Sequence, residues 1–194
     1  MKSFQLTGTT RENLTKQGTK QLRDAGMVPC VIYGGIENVH FSAPTLDFRH
    51  LVYSPDAHTV KITVDGAPYE AIIQEVQFHP VSDKLLHIDF LAIHADKNVM
   101  MDIPVKITGT AEGQKAGGKL LTKVRKLKIK SLPAFLPDAI EIDVTPLGIG
   151  QSVRVSDLKL KGVEFLDSPN NIIVGVRTTR NVVETPAAAA KAAK

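Results

Sequence analysis

The stretch that comes nearest to an enzyme signature is Gly113-Gln-Lys-Ala-Gly-Gly118-Lys119, which has the glycine and lysine spacing of a phosphate-binding P-loop. That loop requires a Ser or Thr directly after the lysine to hold Mg²⁺, and a helix whose N-terminus faces the phosphates. Leu120 stands in that place, and the residues that follow alternate as in a strand. Leucine cannot bind magnesium, so a glycine loop between strands is the better reading. A P-loop-like nucleotide hydrolase remains the alternative from the enzyme class. His79, His87, Asp89 and His94 raise the question of a metal. Residues 87 and 89 of one strand point the same way, as two ligands must. No motif supplies a third ligand, and His79 lies in a Phe-His-Pro turn, so neither metal nor cofactor is expected. Two polar groups on one strand face suit hydrogen bonds to RNA bases or 2′-hydroxyls equally well.

Cys30 is the only cysteine, set between Pro29 and Val31 in an apolar run with no base nearby. It reads as a core thiol and excludes an intrachain disulfide. No Ser-His-Asp pattern and no telling pair of carboxylates is present, so no catalytic residue is expected. Charge is the remaining chemistry. Lys119, Lys123, Arg125, Lys126, Lys128 and Lys130 form a basic run in which Leu127 and Ile129 alternate with lysines. A strand there would bury one face and offer ammonium groups on the other, either to phosphates or simply to water at a guarded edge. A second basic segment, Arg11 to Arg23, holds Arg11, Lys16, Lys20 and Arg23 against the single acid Glu12, with Thr15, Gly18 and Thr19 permitting close approach to a backbone.

The elements that must carry these residues are mostly strands. Thr59 to Val64, the turn Asp65-Gly66 and Tyr69 to Val76 make a hairpin signal, because Asp-Gly supplies positive φ angles. Phe4 to Leu6, Val28 to Tyr33 and Leu85 to Leu91 are further strand candidates. Thr19 to Ala25 fits a short helix ended by Gly26, and Thr45 is placed to cap a second one reaching Tyr53. After a polar boundary at residues 94–98 come Val99 to Thr108, Val124 to Leu132, Ile140 to Val144, Ser152 to Val155 and Asn171 to Val176. Short β-branched runs bounded by Gly, Pro or Asp suit a sandwich or open barrel, not alternating βαβ units. The expected organisation is therefore mainly β in two domains, residues 1–94 and 95–182, followed by a disordered Ala/Lys tail at 183–194.

Bulk composition agrees. The 194 residues are 43% apolar and 23% charged, ordinary for a folded chain, and no apolar run nears the ~20 residues of a membrane span. The N-terminus lacks the apolar stretch of a signal peptide, which suggests a reducing cytoplasm. Net charge is +4. Residues 1–94 hold 8 Lys/Arg against 10 Asp/Glu, whereas 95–194 hold 16 against 10. At ~0.15 M salt the Debye length is about 8 Å, so a local cluster such as residues 11–23 outweighs the balance of its half.

Taken in order, Arg11, Lys16, Leu22-Arg23-x-x-Gly26-x-Val28-Pro29-x-Val31-Ile32-Tyr33-Gly34-Gly35 resembles the opening of large-subunit ribosomal protein twenty-five. Gln74 to Pro80 and His87-Ile88-Asp89-Phe90 resemble that family's second signature. Gly109-x-Ala111-x-Gly113, Gly117-Gly118-x-Leu120, Leu132-Pro133, Leu136-Pro137, Ile142-Asp143-Val144 and Leu147-x-Ile149-Gly150 follow the longer, two-domain form, the general stress protein Ctc type. The resemblance implies an N-terminal β-barrel with short helices that sits on a widened groove of 5S rRNA, followed by a second all-β domain. It implies a structural, non-enzymatic component of the large subunit, cytoplasmic and ribosome-associated, with neither membrane nor small-molecule substrate. Arg11, Lys16, Lys20 and Arg23 would contact the RNA backbone. Tyr33, His87 and Asp89 would lie in the groove, with Thr19 and Gln74 as weaker contacts. Neighbouring ribosomal proteins and rRNA of the central protuberance are the implied partners of the second domain. Gln21 and Phe78 depart from the basic residues that the family often has there. A general stress RNA chaperone is the remaining alternative.

Overall fold

The computed structural model describes residues 2–35 and 37–178; the tail expected at 183–194 lies outside them. The first unit runs β1 (Lys2–Thr10), α1 (Lys16–Asp24), β2 (Met27–Tyr33), β3 (Val39–Pro44), a 3-10 turn (Thr45–Phe48) leading into α2 (Arg49–Val52), then β4 (His58–Val64), β5 (Ala67–Phe78) and β6 (Leu85–Ala92). These six strands close into a barrel in the order β1-β3-β2-β6-β5-β4, with β1 pairing parallel to β4 and β2 parallel to β6. Closure removes unpaired edges.

Side-chain alternation decides what fills the barrel. Val60, Ile62 and Val64 of β4 are buried while Lys61 and Thr63 are exposed. Leu6, Cys30, Ile32, Phe41, Ile88 and Phe90 complete the interior. The β4–β5 hairpin turns at Asp65 and Gly66 with φ of 48° and 89°, the positive angles that the Asp-Gly pair predicts. Asp65 also accepts the Thr10 N–H at 3.0 Å, tying the hairpin to the end of β1.

Two local expectations shift. Helix α1 starts three residues earlier than Thr19, because Thr15 caps it by accepting the Gly18 N–H at 3.2 Å. Thr45 does not cap the second helix. Its hydroxyl donates to the Gly26 carbonyl at 2.7 Å, pinning the turn that ends α1 to the end of β3.

The second unit comprises β7 (Val99–Thr108), α3 (Glu112–Lys115), β8 (Lys119–Thr122), β9 (Lys126–Ser131), β10 (Ile140–Asp143), β11 (Ser152–Arg154), β12 (Val163–Phe165) and β13 (Ile172–Arg177). Its sheets, β10-β7-β9-β12 and β11-β13-β8, share one core that includes Ile103, Leu127, Ile129, Ile140, Ile173 and Val176. Ala57, just before β4, also packs into this core.

The P-loop-like glycines serve packing. A Cβ on Gly113 would lie 2.7 Å from the backbone of Gly148 and Ile149, and one on Gly118 would lie 2.6 Å from the Gly113 carbonyl. Only glycine lets this loop fold against residues 147–149, where Gly113 N–H donates to the Leu147 carbonyl at 2.9 Å. Helix α3 is a single turn, and Leu120 and Leu121 continue into β8. Gly113→Ala is expected to lower stability by about 1–3 kcal/mol through overpacking against backbone. Thermal unfolding checks it. Magnesium–ATP should leave the parent's Tm unmoved, and a ligand-dependent rise would contradict the packing role.

Candidate nucleic-acid interface

Helix α1 gathers the basic residues. Lys16, Lys20 and Arg23 recur at i, i+4 and i+7, so one exposed stripe carries all three. The opposite side packs on β2, with Gly18 buried and Leu22 half-buried. Thr19 lies within the helix and donates its hydroxyl to the Thr15 carbonyl at 2.9 Å, so that hydroxyl stabilises the first turn. Gly26, at φ 78°, ends the helix in the left-handed region that glycine adopts without strain. Arg23 Nε donates to the Leu86 carbonyl at 3.1 Å, which fixes the stripe against the start of β6. Its terminal Nη donors have no protein partner among the described residues.

Arg11 follows β1, where its backbone N–H donates to the His40 carbonyl at 2.9 Å. Its side-chain Nε and Nη1 are buried without any hydrogen-bond partner. Unsatisfied buried donors on a cation are costly, and an RNA acceptor arriving there would remove that cost.

The outer face of β2, β6 and β5 carries the rest. Val31 of β2 lies beside Asp89 of β6, and Asp89 lies opposite Glu75 of β5, with Gln77 opposite His87. His87 Nδ1 approaches Asp89 Oδ1 to 2.6 Å, both side chains about a quarter exposed. The approach lies outside hydrogen-bond geometry and leaves Oδ1 without a hydrogen bond. Tyr33 ends β2 on the same face. Burial, then the negative charges of Asp89 and Glu75, pushes its hydroxyl above the usual tyrosine range, so it stays a protonated donor. Beneath this face Cys30 is fully buried, and desolvation pushes its thiol far up, as suits a core residue and not a nucleophile. Arg11 bonds His40, His40 pairs with Val31 and Val31 with Asp89, so one row of strand partners runs from Arg11 to Asp89.

The interface thus combines a basic stripe, a guanidinium with open donors, and a polar face of Tyr33, His87 and Asp89. Gln74 has no strand partner: the bulge between Ile73 and Glu75 leaves it out of the pairing with β6, and with Glu75 it lines a cleft of about 280 Å³ that also takes in Leu51, Met100 and Lys126. Glu75 and Gln77, which the sequence reading passes over, take positions opposite Asp89 and His87. The polar residues flanking Val76 were the available signal, but the register that selects between them depends on the bulge. Among the described residues no group of three or more His, Cys, Asp or Glu could hold a metal ion, and no helix is long and apolar enough to cross a membrane.

Comparison with known proteins gives matches over nearly the whole chain. The family model described as "Ribosomal L25p family" matches residues 6–90, and that described as "Ribosomal protein TL5, C-terminal domain" matches residues 98–180. A protein of Christiangramia forsetii called large ribosomal subunit protein bL25 is 46% identical over 187 residues, covering 95% of this chain and 84% of its own. Similar proteins of the same name occur in Porphyromonas gingivalis, 43% identical over 182 residues (93% and 95% covered), and in Bacteroides fragilis, 41% identical over 196 residues (98% and 100% covered).

Proposed function

The chain belongs to the ribosomal L25p family, and from that membership we propose that residues 1–94 hold 5S rRNA in the central protuberance of the large subunit, with residues 95–182 as a separate second domain. The protein is a structural, non-enzymatic component of the large ribosomal subunit, cytoplasmic and ribosome-associated, with rRNA and ribosomal proteins as partners. One observation carries the finer reading: the Arg23–Leu86 hydrogen bond, which locks a cationic stripe to the strand bearing His87 and Asp89.

That arrangement separates two tasks. Exposed Lys16, Lys20 and Arg23 attract and position a phosphate backbone without reading sequence. A-form RNA hides its major groove, so recognition falls to 2′-hydroxyls, distorted regions and exposed base edges. The Tyr33 hydroxyl offers a donor, the Asp89 carboxylate an acceptor, and Arg11 open donors to such groups. Asp89 is an anion in a phosphate-rich groove, so its part is hydrogen bonding and not charge attraction.

Co-sedimentation with purified large subunits and footprinting of the bound RNA tests the proposal. Protection confined to 5S rRNA supports it. Equal affinity for unrelated hairpins would favour the RNA-chaperone reading. Within this frame Arg23→Ala is expected to lower the log–log salt slope of 5S rRNA binding by about 0.7–0.9, the share of one phosphate contact. Arg23→Lys should restore most of it. Filter binding across a salt series reads the slope, and an unchanged slope in the alanine variant would remove Arg23 from the phosphate contacts.

A further inference from the structure

The basic run 119–130 does not form one surface. Lys119 belongs to β8 and Lys126, Lys128 and Lys130 to β9, and these strands lie in different sheets. On β9 two of the three lysines meet acids. Lys128 sits opposite Asp102 of β7, and Lys130 Nζ is 3.8 Å from Glu164 of β12. On β8 the neighbour has the same sign: Lys119 is paired in register with Arg177 of β13, both exposed. Like charges directly opposite one another destabilise a sheet. Among the described residues no ion pair relieves Lys119, Lys123 or Arg177.

The face these cations border is shaped to be covered. Ser152, Gly175 and Leu121 lie side by side across β11, β13 and β8. Gly175 shares its face with Arg177 two residues on, and Leu121 shares its face with Lys119. With no side chain at Gly175, the sheet carries a shallow groove of about 300 Å³ lined by Lys123, Gln151, Ser152, Gly175 and Arg177. Arg177 of the central strand and Lys123 just after β8 supply its cations, Lys119 stands beside Arg177 on the same face, and Ser152 and Gln151 line the β11 edge.

We propose that this groove on the β11-β13-β8 sheet is a second RNA contact of the protein, taking a phosphodiester backbone without regard to sequence, and that the lysines of β9 are not part of it. Phosphates laid beside Lys119 and Arg177 turn their mutual repulsion into attraction, and the glycine hollow lets a sugar-phosphate chain approach the backbone. Ser152 and Gln151 supply neutral hydrogen bonds of the kind that position a backbone. The contact stands whether or not the first domain selects 5S rRNA.

The test follows amide shifts of the ¹⁵N-labelled full chain titrated with a 20-base-pair RNA duplex of arbitrary sequence. In 50 mM salt, residues 119–123 and 175–178 are expected to shift and residues 126–130 to stay. Two phosphate contacts, each worth 0.7–0.9 of slope, make affinity at this site fall about tenfold from 50 to 200 mM salt. K119A/R177A should abolish the shifts in β8 and β13 without lowering Tm, since it removes a repulsive pair; K126A/K128A should leave them. Shifts centred on β9, or shifts in β8 and β13 that survive K119A/R177A, would overturn the proposal. So would a polyglutamate peptide moving these amides where the duplex does not, which would make the partner an acidic protein.

Discussion

Phe41→Ala is expected to lower the free energy of unfolding by about 3–5 kcal/mol, the range for removing a fully buried aromatic ring. Phe41 lies opposite Cys30 on the inner face of β3 and is fully buried, with its centroid 5.8 Å from that of Phe90. Its ring also takes the space where a side chain would stand at position 8, since a Cβ on Gly8 would come within 2.5 Å of Phe41 Cδ2. Removing the ring therefore opens a void that Gly8 has no atoms to fill, and the closed hydrogen-bonded ring of strands resists collapse around it. The cost should sit near the top of the range for that reason. Val81→Ala, at a position 87% exposed, should change stability by less than about 0.5 kcal/mol. Urea denaturation with a common m-value gives both numbers. A loss under about 1 kcal/mol for Phe41→Ala would mean that the ring does not fill the barrel.

The second large effect is on binding. Asp89→Leu is expected to weaken 5S rRNA binding by about 1–3 kcal/mol, because a donor on the RNA loses its acceptor in a desolvated groove. Asp89→Asn keeps one acceptor oxygen and drops a charge that phosphates repel, so it should cost little or even help. The contrast between the two variants separates hydrogen bonding from charge. The 2.6 Å approach of His87 Nδ1 adds a structural possibility, namely that Asp89 serves only to hold the imidazole. Asp89→Leu/His87→Ala distinguishes them. If Asp89 acts through His87 alone, the double variant loses no more than His87→Ala does. If Asp89 contacts RNA itself, the double variant binds more weakly than either single one. Filter binding of folded variants at one salt concentration decides, and parent-like affinity for Asp89→Leu would assign the carboxylate a purely structural role.

Much of the fold was written locally. Asp65-Gly66 specifies its hairpin because positive φ at two successive residues excludes most alternatives. Val60, Ile62 and Val64 alternate with polar residues, which sets both strand identity and inner face. Gly26 ends α1 as its residue type predicts, but the start fell at Lys16 and not Thr19, so the stripe of Lys16, Lys20 and Arg23 emerged only once the Thr15 cap set the first turn. Family membership was equally legible, since the signatures at 22–35 and 74–90 are short strings read without three-dimensional information.

What remained depended on which strands meet. Barrel closure pairs β1 with β4 across more than fifty residues, and no local pattern encodes a partner at that distance. A bulge at Gln74 took that residue out of the pairing with β6 and put Glu75 and Gln77 opposite Asp89 and His87, because side-chain direction has a period of two and one extra residue shifts the register. The glycines of 113–118 matched a phosphate loop by spacing, but the backbone of 148–149 lying 2.7 Å from a would-be Cβ showed why they must be small. The basic run looked like one strand until tertiary pairing set Lys119 against Arg177 and Lys128 against Asp102. Charge type was visible in the sequence. Whether a charge was neutralised was decided by the strand folded beside it, since Coulomb interactions at a few ångströms depend on neighbours in space and not on neighbours in the chain.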